Sequence, residues 1–191
     1  MSDQTTLSPE SLKQAASRAA QFRHQIHAHP ELAFEEVRTS SLVKQRLAEL
    51  GYEVDDSFAR TGVVGILRGN GSAPAVGFRA DMDALPIEEA DSPGKEKPYR
   101  SRNPGKMHAC GHDGHTSMLL GAAELLMNRA QKQPYPGDIF LIFQPAEENE
   151  GGGKEMVEQG LFKKYPAHRI FGLHNWPGMP AGHIGVCEGP I

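Results

Sequence analysis

The residues best suited to chemistry concentrate at positions 107–115, where three histidines, a cysteine and an aspartate lie among small residues. Cysteine, histidine and carboxylate side chains are the usual protein ligands of zinc and neighbouring first-row metals. Gly111 and Gly114 let the backbone fold tightly around an ion. The segment therefore predicts a metal-binding loop in which Cys110 is a candidate ligand. The alternative is that Asp113 only caps the following helix, the histidines make local hydrogen bonds and Cys110 is a small buried hydrophobe.

Two adjacent carboxylates, Glu147 and Glu148, follow the apolar run 139–143 and Pro145. The run has the length and continuous apolar character of a strand buried on both faces of a mostly parallel sheet. Where a chain leaves such a sheet, paired acids can divide the work, since one can bind a metal while the other takes a proton from the attacking water. The alternative, a solvated helix face, fits this position poorly.

Two other apolar strands end in polar residues. Asp81 and Asp83 follow the strand 75–78, and their spacing points both side chains to one side of extended backbone. They could orient a ligating histidine, bind the metal directly, or only form a turn. His174 follows the apolar run 170–173 and is either a ligand or a structural histidine. Because ligands bind at the carboxyl ends of strands in open α/β sheets, we expect the three strand ends to face one crevice.

The other conspicuous motifs are interpreted as structural. The run Gly151-Gly152-Gly153 lacks the Gly-Lys-Ser/Thr ending of a phosphate loop and is predicted to form a flexible rim near the site. The sequence contains no G-x-S-x-G elbow, which argues against a serine hydrolase. Structural roles are also expected for His24, His27, His29, His168 and His183.

The elements that must position these residues alternate between helix and strand patterns. Helices are predicted from Pro9 to about His29, in a second run ending before Gly51, at 116–130 and at 153–160. Strands are predicted at 63–67, 75–78, 139–143 and 170–173, the last one buried, and the first two are predicted to form a hairpin through 69–72. Residues 86–106 are predicted to be a loop. The pattern indicates an α/β fold with a mixed sheet.

Composition excludes several classes of protein. The chain has 191 residues, 20 Lys+Arg and 24 Asp+Glu, with a net charge of −4, so it lacks the basic surplus of a nucleic-acid binder. No apolar stretch reaches the roughly 18–20 residues of a membrane span, and the N-terminus lacks a secretory pattern. The only cysteines are Cys110 and Cys187, which favours a reduced compartment over a disulfide framework. We predict a cytoplasmic protein with no nucleic-acid or membrane partner.

Five segments, taken in their order along the chain, carry a family resemblance that spans nearly the whole chain. They are RHQIHAHPEL at 23–32, RADMDALP at 79–86, HACGHDGHT at 108–116, QPAEE at 144–148 and GLHNWPG at 172–178. Together they resemble the metal-dependent amidohydrolases of the aminoacylase/carboxypeptidase group. Within that group they are most similar to hippurate hydrolases, N-acyl-amino-acid amidohydrolases and the plant auxin-conjugate hydrolases.

The resemblance implies a zinc-exopeptidase-like α/β domain with two divalent metal ions, which could be zinc, manganese, cobalt or nickel. The implied activity is hydrolysis of the amide bond of N-acyl amino acids or short peptides. By motif position, Glu147 is the implied general base and Asp83 the acid that orients the site. The implied metal ligands are Cys110, His112, Glu148 and His174.

Members of the family run to roughly twice this length, and they add a lid domain that often forms a homodimer and a final segment with one more metal-binding histidine. Residues 1–191 therefore correspond to the N-terminal part of the catalytic metal-binding domain, C-terminally incomplete and without the lid. We expect partial metal occupancy and weak or absent catalysis from this chain alone. Two alternatives stay open, a metallo-dipeptidase or carboxypeptidase and a non-catalytic metal-binding fragment.

Overall fold

Five strands form one sheet in the computed structural model, which describes residues 7–91, 94, 97–186 and 188–189. Their bounds are β1 Glu53–Asp55, β2 Val63–Leu67, β3 Ala75–Asp81, β4 Ile139–Gln144 and β5 Ala167–Gly172. The strand order is β1-β2-β4-β3-β5. Strand β3 is parallel to β4 and β5, whereas β2 is antiparallel to β1 and β4. The predicted α/β class with a mixed sheet is confirmed.

The helices begin and end where local chemistry favours it. Helix α1 (Pro9–His27) has proline in its first turn, and the Ser8 hydroxyl oxygen accepts a hydrogen bond from the Ser11 N–H. Helix α2 (Val37–Leu50) ends at Gly51, whose φ of +91° is a conformation that glycine adopts without strain. The remaining helices are α3 (His112–Ala130), α4 (Gly152–Glu158) and α5 (Leu161–Lys164).

Side chains alternate across strand β4 and fill two cores, one on each face of the sheet. On one face, Leu141 and Phe143 pack in a cluster with residues of helices α2 and α3, including Leu47 and Leu120. On the other face, Phe140 and Ile142 pack in a cluster that includes Met156 of helix α4. Strand β4 is therefore fixed between two apolar layers, as its continuous apolar sequence predicts.

The parallel arrangement of β3, β4 and β5 brings their carboxyl ends to one edge of the sheet. Asp81 ends strand β3 and pairs in register with Gln144, which ends strand β4. His174 lies two residues beyond strand β5. The three strand ends thus lie at one edge of the sheet, as expected.

The predicted hairpin between β2 and β3 is wrong, because β4 lies between these two strands. Strand β2 pairs antiparallel with β4, while β3 pairs with β4 from the other side. The turn-rich residues 69–72 thus connect strands that are not neighbours. A strand that is apolar on both faces is best buried at the sheet centre, and β4 takes that place.

Several boundaries also differ from prediction. The sequence predicts a buried strand β5, but it is an edge strand in which Ile170 is 41% exposed and Phe171 is 50% exposed. Helix α3 begins at His112, four residues earlier than predicted, and helix α1 ends at His27, two residues before His29. Gly152 and Gly153 form the first turn of helix α4 and not a flexible rim. Strand β1 and helix α5 had no predicted counterpart.

The long segment between β3 and α3 is a loop in its described part, as predicted, with one isolated bridge from Leu85 to Met107. Cys187 lies outside the described residues, and Cys110 is a free thiol. Among the residues described, none of the helices has the length and apolar character needed to cross a bilayer.

Candidate metal centre

His112 lies at the centre of the candidate site and is completely buried in the first turn of helix α3. Its Nδ1 lies 3.1 Å from Asp83 Oδ1. A carboxylate can only accept, so the ring donates a proton through Nδ1, and in the neutral ring the lone pair is then on Nε2. Within the described part of the chain, Nε2 has no hydrogen-bond partner. A buried ring nitrogen without a partner is costly, and a cation would satisfy it.

Three carboxylates surround this nitrogen just beyond hydrogen-bond distance. His112 Nε2 lies 3.8 Å from Glu148 Oε1, 3.9 Å from Glu147 Oε2 and 3.8 Å from Asp81 Oδ2. Glu147 and Glu148 follow strand β4, as their position in the sequence predicted. The Glu147 side chain is 40% exposed and that of Glu148 is 23% exposed. Both carboxylates are therefore accessible from solvent, whereas the His112 side chain is buried.

A thiol and a second imidazole complete the cluster. Cys110 Sγ lies 3.4 Å from His174 Nε2, and the His174 ring packs edge-on to the His112 ring with centroids 6.0 Å apart. The described residues form three groups in which the ligand-capable atoms all lie within 4.8 Å of one another, and each group includes His112. They are Cys110 with His112 and His174, His112 with Glu147 and Glu148, and Asp81 with His112 and His115.

The electrostatics of the cluster favour a cation. Burial and the neighbouring carboxylate of Glu148 raise the pKa of the Cys110 thiol to about 12. Burial opposes ionisation of Asp81, but the hydrogen bond from His115 and the charge of Arg79 lower its pKa to about 2. The carboxylates thus lie close to a thiol whose ionisation they oppose. A divalent ion would favour ionisation of that thiol, because it stabilises a thiolate and carboxylates together. The sulfur, nitrogen and oxygen donors present fit zinc or a neighbouring first-row metal.

The structure brings together all six predicted site residues. Asp83 contacts His112 as an orienting acid would, and its other oxygen, Oδ2, accepts a hydrogen bond of 2.9 Å from the Glu148 N–H. The positions of Cys110, His112, Glu147, Glu148 and His174 are those described above, and their individual roles stay predictions.

His115 and Asn175 form a contact that the sequence did not reveal. His115 Nδ1 lies 2.7 Å from Asp81 Oδ1, and His115 Nε2 lies 2.6 Å from Asn175 Oδ1 and 3.0 Å from the Asn175 backbone nitrogen. Both ring nitrogens are therefore engaged, and the ring ties helix α3 to the segment that carries His174. Gly111 packs against this segment with φ of +97°, and a Cβ there would lie 2.4 Å from Asn175 Oδ1. The sequence shows histidines at 112 and 115, but it does not show that Asn175 contacts His115.

Asp113 does not cap helix α3, and its side chain contacts helix α1. Its Oδ2 lies 2.9 Å from His27 Nδ1 and 3.2 Å from Arg23 Nε. His27 is buried in this contact, which agrees with its predicted structural role. His108 is also buried, and neither of its ring nitrogens has a hydrogen-bond partner among the described residues. It belongs to none of the candidate metal groups formed by residues that the structure describes.

Comparison with known protein families shows which family the chain belongs to. The model of peptidase family M20/M25/M40 matches residues 77–189, which include every candidate ligand. The chain belongs to this family. The predicted resemblance to metal-dependent amidohydrolases is confirmed by the relatives of this M20 chain.

Among these relatives, hippurate hydrolase of Campylobacter jejuni is 50% identical over 155 residues, covering 81% of this chain and 38% of the relative. N-acetylcysteine deacetylase of Bacillus subtilis is 41% identical over 176 residues, covering 92% of this chain and 44% of the relative. The M20 chain thus spans less than half the length of these curated relatives.

A solved structure supports the same fold. The Bacillus subtilis YXEP protein, described as a dinuclear metal binding peptidase from the M20 family, superposes with a TM-score of 0.84 at 40% identity. The match covers 93% of this M20 chain and 48% of that protein. The mixed sheet therefore belongs to a fold that this solved structure of the family shares.

Proposed function

We propose that this chain is the N-terminal part of the catalytic metal-binding unit of an amidohydrolase that cleaves N-acyl amino acids such as hippurate. The observation that carries the proposal is the buried His112 Nε2, which has no hydrogen-bond partner among the described residues and lies 3.8–3.9 Å from the carboxylates of Glu147 and Glu148. The named relatives that act on hippurate and N-acetylcysteine support the substrate class.

The proposed metal ligands are Cys110, His112, Glu148 and His174. They offer sulfur, nitrogen and oxygen atoms, a mixture that suits zinc, manganese, cobalt or nickel without choosing sharply among them. The neighbour described as dinuclear supports two ions in a complete site. A divalent ion held there would polarise the amide carbonyl and lower the pKa of the attacking water.

Glu147 is the proposed general base. Its carboxylate lies at the mouth of the cluster and is partly exposed, so substrate and water can reach it. Glu147 takes a proton from water as the water oxygen bonds to the acyl carbon. It returns this proton to the leaving nitrogen when the carbon–nitrogen bond breaks, which yields a carboxylic acid and a free amine. Asp83 acts through His112 and the Glu148 N–H, and it is a positioning residue in this scheme.

The test is release of benzoate from hippurate by the metal-loaded chain, with metal content measured on the same sample. We expect bound metal with weak or absent turnover from this chain, and any turnover should disappear in Glu147→Gln. Stoichiometric metal without turnover, even after a C-terminal segment of a relative is added in trans, would favour the non-catalytic alternative. Turnover that survives in Glu147→Gln would overturn the assignment of the base.

A peptidase is the second candidate function, because the structural neighbour at 40% identity is described as a peptidase. A panel that compares N-acyl amino acids with dipeptides separates the two candidates. Preferential cleavage of dipeptides would replace the first proposal by the second. A cytoplasmic location and a homodimer stay predictions.

A further inference from the structure

Glu36 is a fully buried carboxylate at the start of helix α2, yet it does not cap its own helix. Its Oε1 accepts a hydrogen bond of 2.8 Å from the Ala146 N–H. Its Oε2 accepts a hydrogen bond of 2.6 Å from the Thr61 hydroxyl. Both oxygens therefore accept hydrogen bonds from segments that are distant in sequence. One of these segments is the turn at residues 145–148, which includes Glu147.

The turn that receives this hydrogen bond is strained and tightly enclosed. Ala146 has φ of +50°, in the left-handed region that residues other than glycine rarely adopt, and it is completely buried. Its carbonyl accepts a hydrogen bond of 2.9 Å from the Gly152 N–H. A Cβ at Gly152 would lie 1.9 Å from the Pro145 carbonyl oxygen, so helix α4 packs directly on the turn. Such a backbone conformation persists only when its surroundings hold it.

A second buried carboxylate holds the other end of the same turn. Asp83 Oδ2 accepts the Glu148 N–H at 2.9 Å, while its other oxygen contacts His112. Glu36 and Asp83 thus bind the backbone on either side of Glu147. Burial raises the pKa of the Glu36 carboxyl, but a carboxyl group in either protonation state offers an oxygen that accepts from the Ala146 N–H. Removing either acceptor leaves a backbone N–H without its partner, which makes both contacts effective anchors.

We propose that Glu36 is a positioning residue that acts through the Ala146 peptide to place Glu147 and Glu148 against His112. The inference rests on the proposed function, in which Glu147 is the base and Glu148 a ligand. Glu36 touches neither substrate nor metal in this account. Its effect is to fix the strained turn, so that both carboxylates point into the cluster.

The test compares Glu36→Ala with Glu36→Gln by Zn²⁺ affinity and by hydrogen exchange at the Ala146 amide. Glu36→Ala removes both hydrogen bonds, and we expect Zn²⁺ affinity to fall about 10–100-fold, as is typical when a partner outside the ligand set is lost. Glutamine keeps an oxygen for the Ala146 N–H and offers its amide N–H to the Thr61 oxygen. Glu36→Gln should therefore retain Zn²⁺ affinity within a few-fold of wild type and keep the amide protected.

Glu124→Ala is the matched control, because Glu124 is also a buried carboxylate with two partners, Arg18 and Arg46. It should lower thermal stability and leave Zn²⁺ affinity unchanged. If Glu36→Ala does not fold, Glu36→Asp replaces it, since the shorter side chain cannot reach both partners, and it should weaken Zn²⁺ binding and speed exchange at Ala146.

Wild-type Zn²⁺ affinity and unchanged Ala146 exchange in the folded Glu36→Ala or Glu36→Asp variant would overturn the proposal. Equal losses of affinity in Glu36→Ala and Glu124→Ala would also overturn it, because they would reflect stability alone. Failure of the wild-type chain to bind Zn²⁺ would contradict the proposed function. The exchange of the Ala146 amide would still test whether Glu36 holds the turn.

Discussion

Asp83 and His112 are joined by a contact of 3.1 Å between Oδ1 and Nδ1, and neither residue is more than 1% exposed. This contact fixes the His112 ring with Nε2 turned towards Glu147 and Glu148. The second Asp83 oxygen accepts a hydrogen bond from the Glu148 N–H. One carboxylate therefore fixes the position of both the His112 ring and the backbone at Glu148. Partners of this kind keep metal ligands in place without touching the metal.

Replacing Asp83 by asparagine should weaken metal binding. The asparagine oxygen can accept from only one of the two donors, and its amide N–H₂ then faces the other. We expect Zn²⁺ affinity to fall about 10–100-fold, measured by competition with a chromophoric chelator. Asp138→Asn is the control, because Asp138 likewise accepts hydrogen bonds from one backbone N–H, that of Gly69, and from one side chain, that of Arg68. Asp138 directly precedes strand β4, at the end of that strand opposite the candidate metal centre. Equal affinity in Asp83→Asn and wild type would contradict the role of Asp83.

Gly111→Ala should disturb the site more than the backbone strain alone explains. Gly111 and Gly51 have nearly equal φ values of +97° and +91°, but a Cβ at Gly51 meets no described atom within 4 Å, whereas one at Gly111 would collide with Asn175. Gly51→Ala should lower the free energy of unfolding by about 1–2 kcal/mol and leave metal binding intact. Gly111→Ala should lose more stability and also bind Zn²⁺ more weakly. Urea unfolding and Zn²⁺ titration of the two variants measure this, and indistinguishable variants would argue against the Asn175 contact.

Glu147→Gln should separate catalysis from metal binding. The amide cannot accept a proton, and loss of general acid–base help typically costs about 10²–10⁴-fold in rate. Metal content should stay at the wild-type level, because Glu147 is not among the proposed ligands. Benzoate release and metal analysis on the same preparation give both values. A variant that loses its metal would show that Glu147 is a ligand and that the roles of Glu147 and Glu148 are reversed.

The pH dependence of stability should include a contribution from Glu124. Hydrogen bonds from Arg18, and then from Arg46, lower the pKa of Glu124 in the folded state. An acid whose folded pKa is depressed stabilises the fold above its unfolded pKa of about 4.3, and this stabilisation is lost as pH falls through the folded pKa. Urea unfolding of wild type and Glu124→Gln from pH 7 to pH 3 should give a difference that shrinks with falling pH. A difference that is constant with pH would contradict this assignment.

Much of the fold follows from local patterns, because strand β4 and helices α1 and α2 are specified by their own apolar spacing and end signals. Strand pairing is not local. The turn residues 69–72 are compatible with a hairpin, and only the competition for the sheet centre places β4 between β2 and β3. Exposure of β5 likewise depends on what packs beside it, which its apolar sequence does not encode.

The site divides in the same way. Ligand-capable residues such as Cys110 and His112 were recognisable by type and by their place before a helix. Glu36 was not, because an acid at the start of a helix usually faces solvent, and only the folded chain shows its contact with Ala146. His115 was visible, but its partner Asn175 lies 60 residues away in sequence. Residues that position a site through tertiary contacts leave little local signal.

Metal content per chain shows whether the cluster around His112 binds a metal ion. The chain is purified without chelator, supplied with Zn²⁺ or Mn²⁺, desalted and analysed by plasma mass spectrometry, alongside His112→Ala and His168→Ala, the latter replacing an exposed histidine of strand β5. We expect one or more ions per chain in wild type and His168→Ala, and loss of the ion in His112→Ala. A folded wild-type chain that binds no ion, or a His112→Ala variant with the full wild-type content, would contradict it.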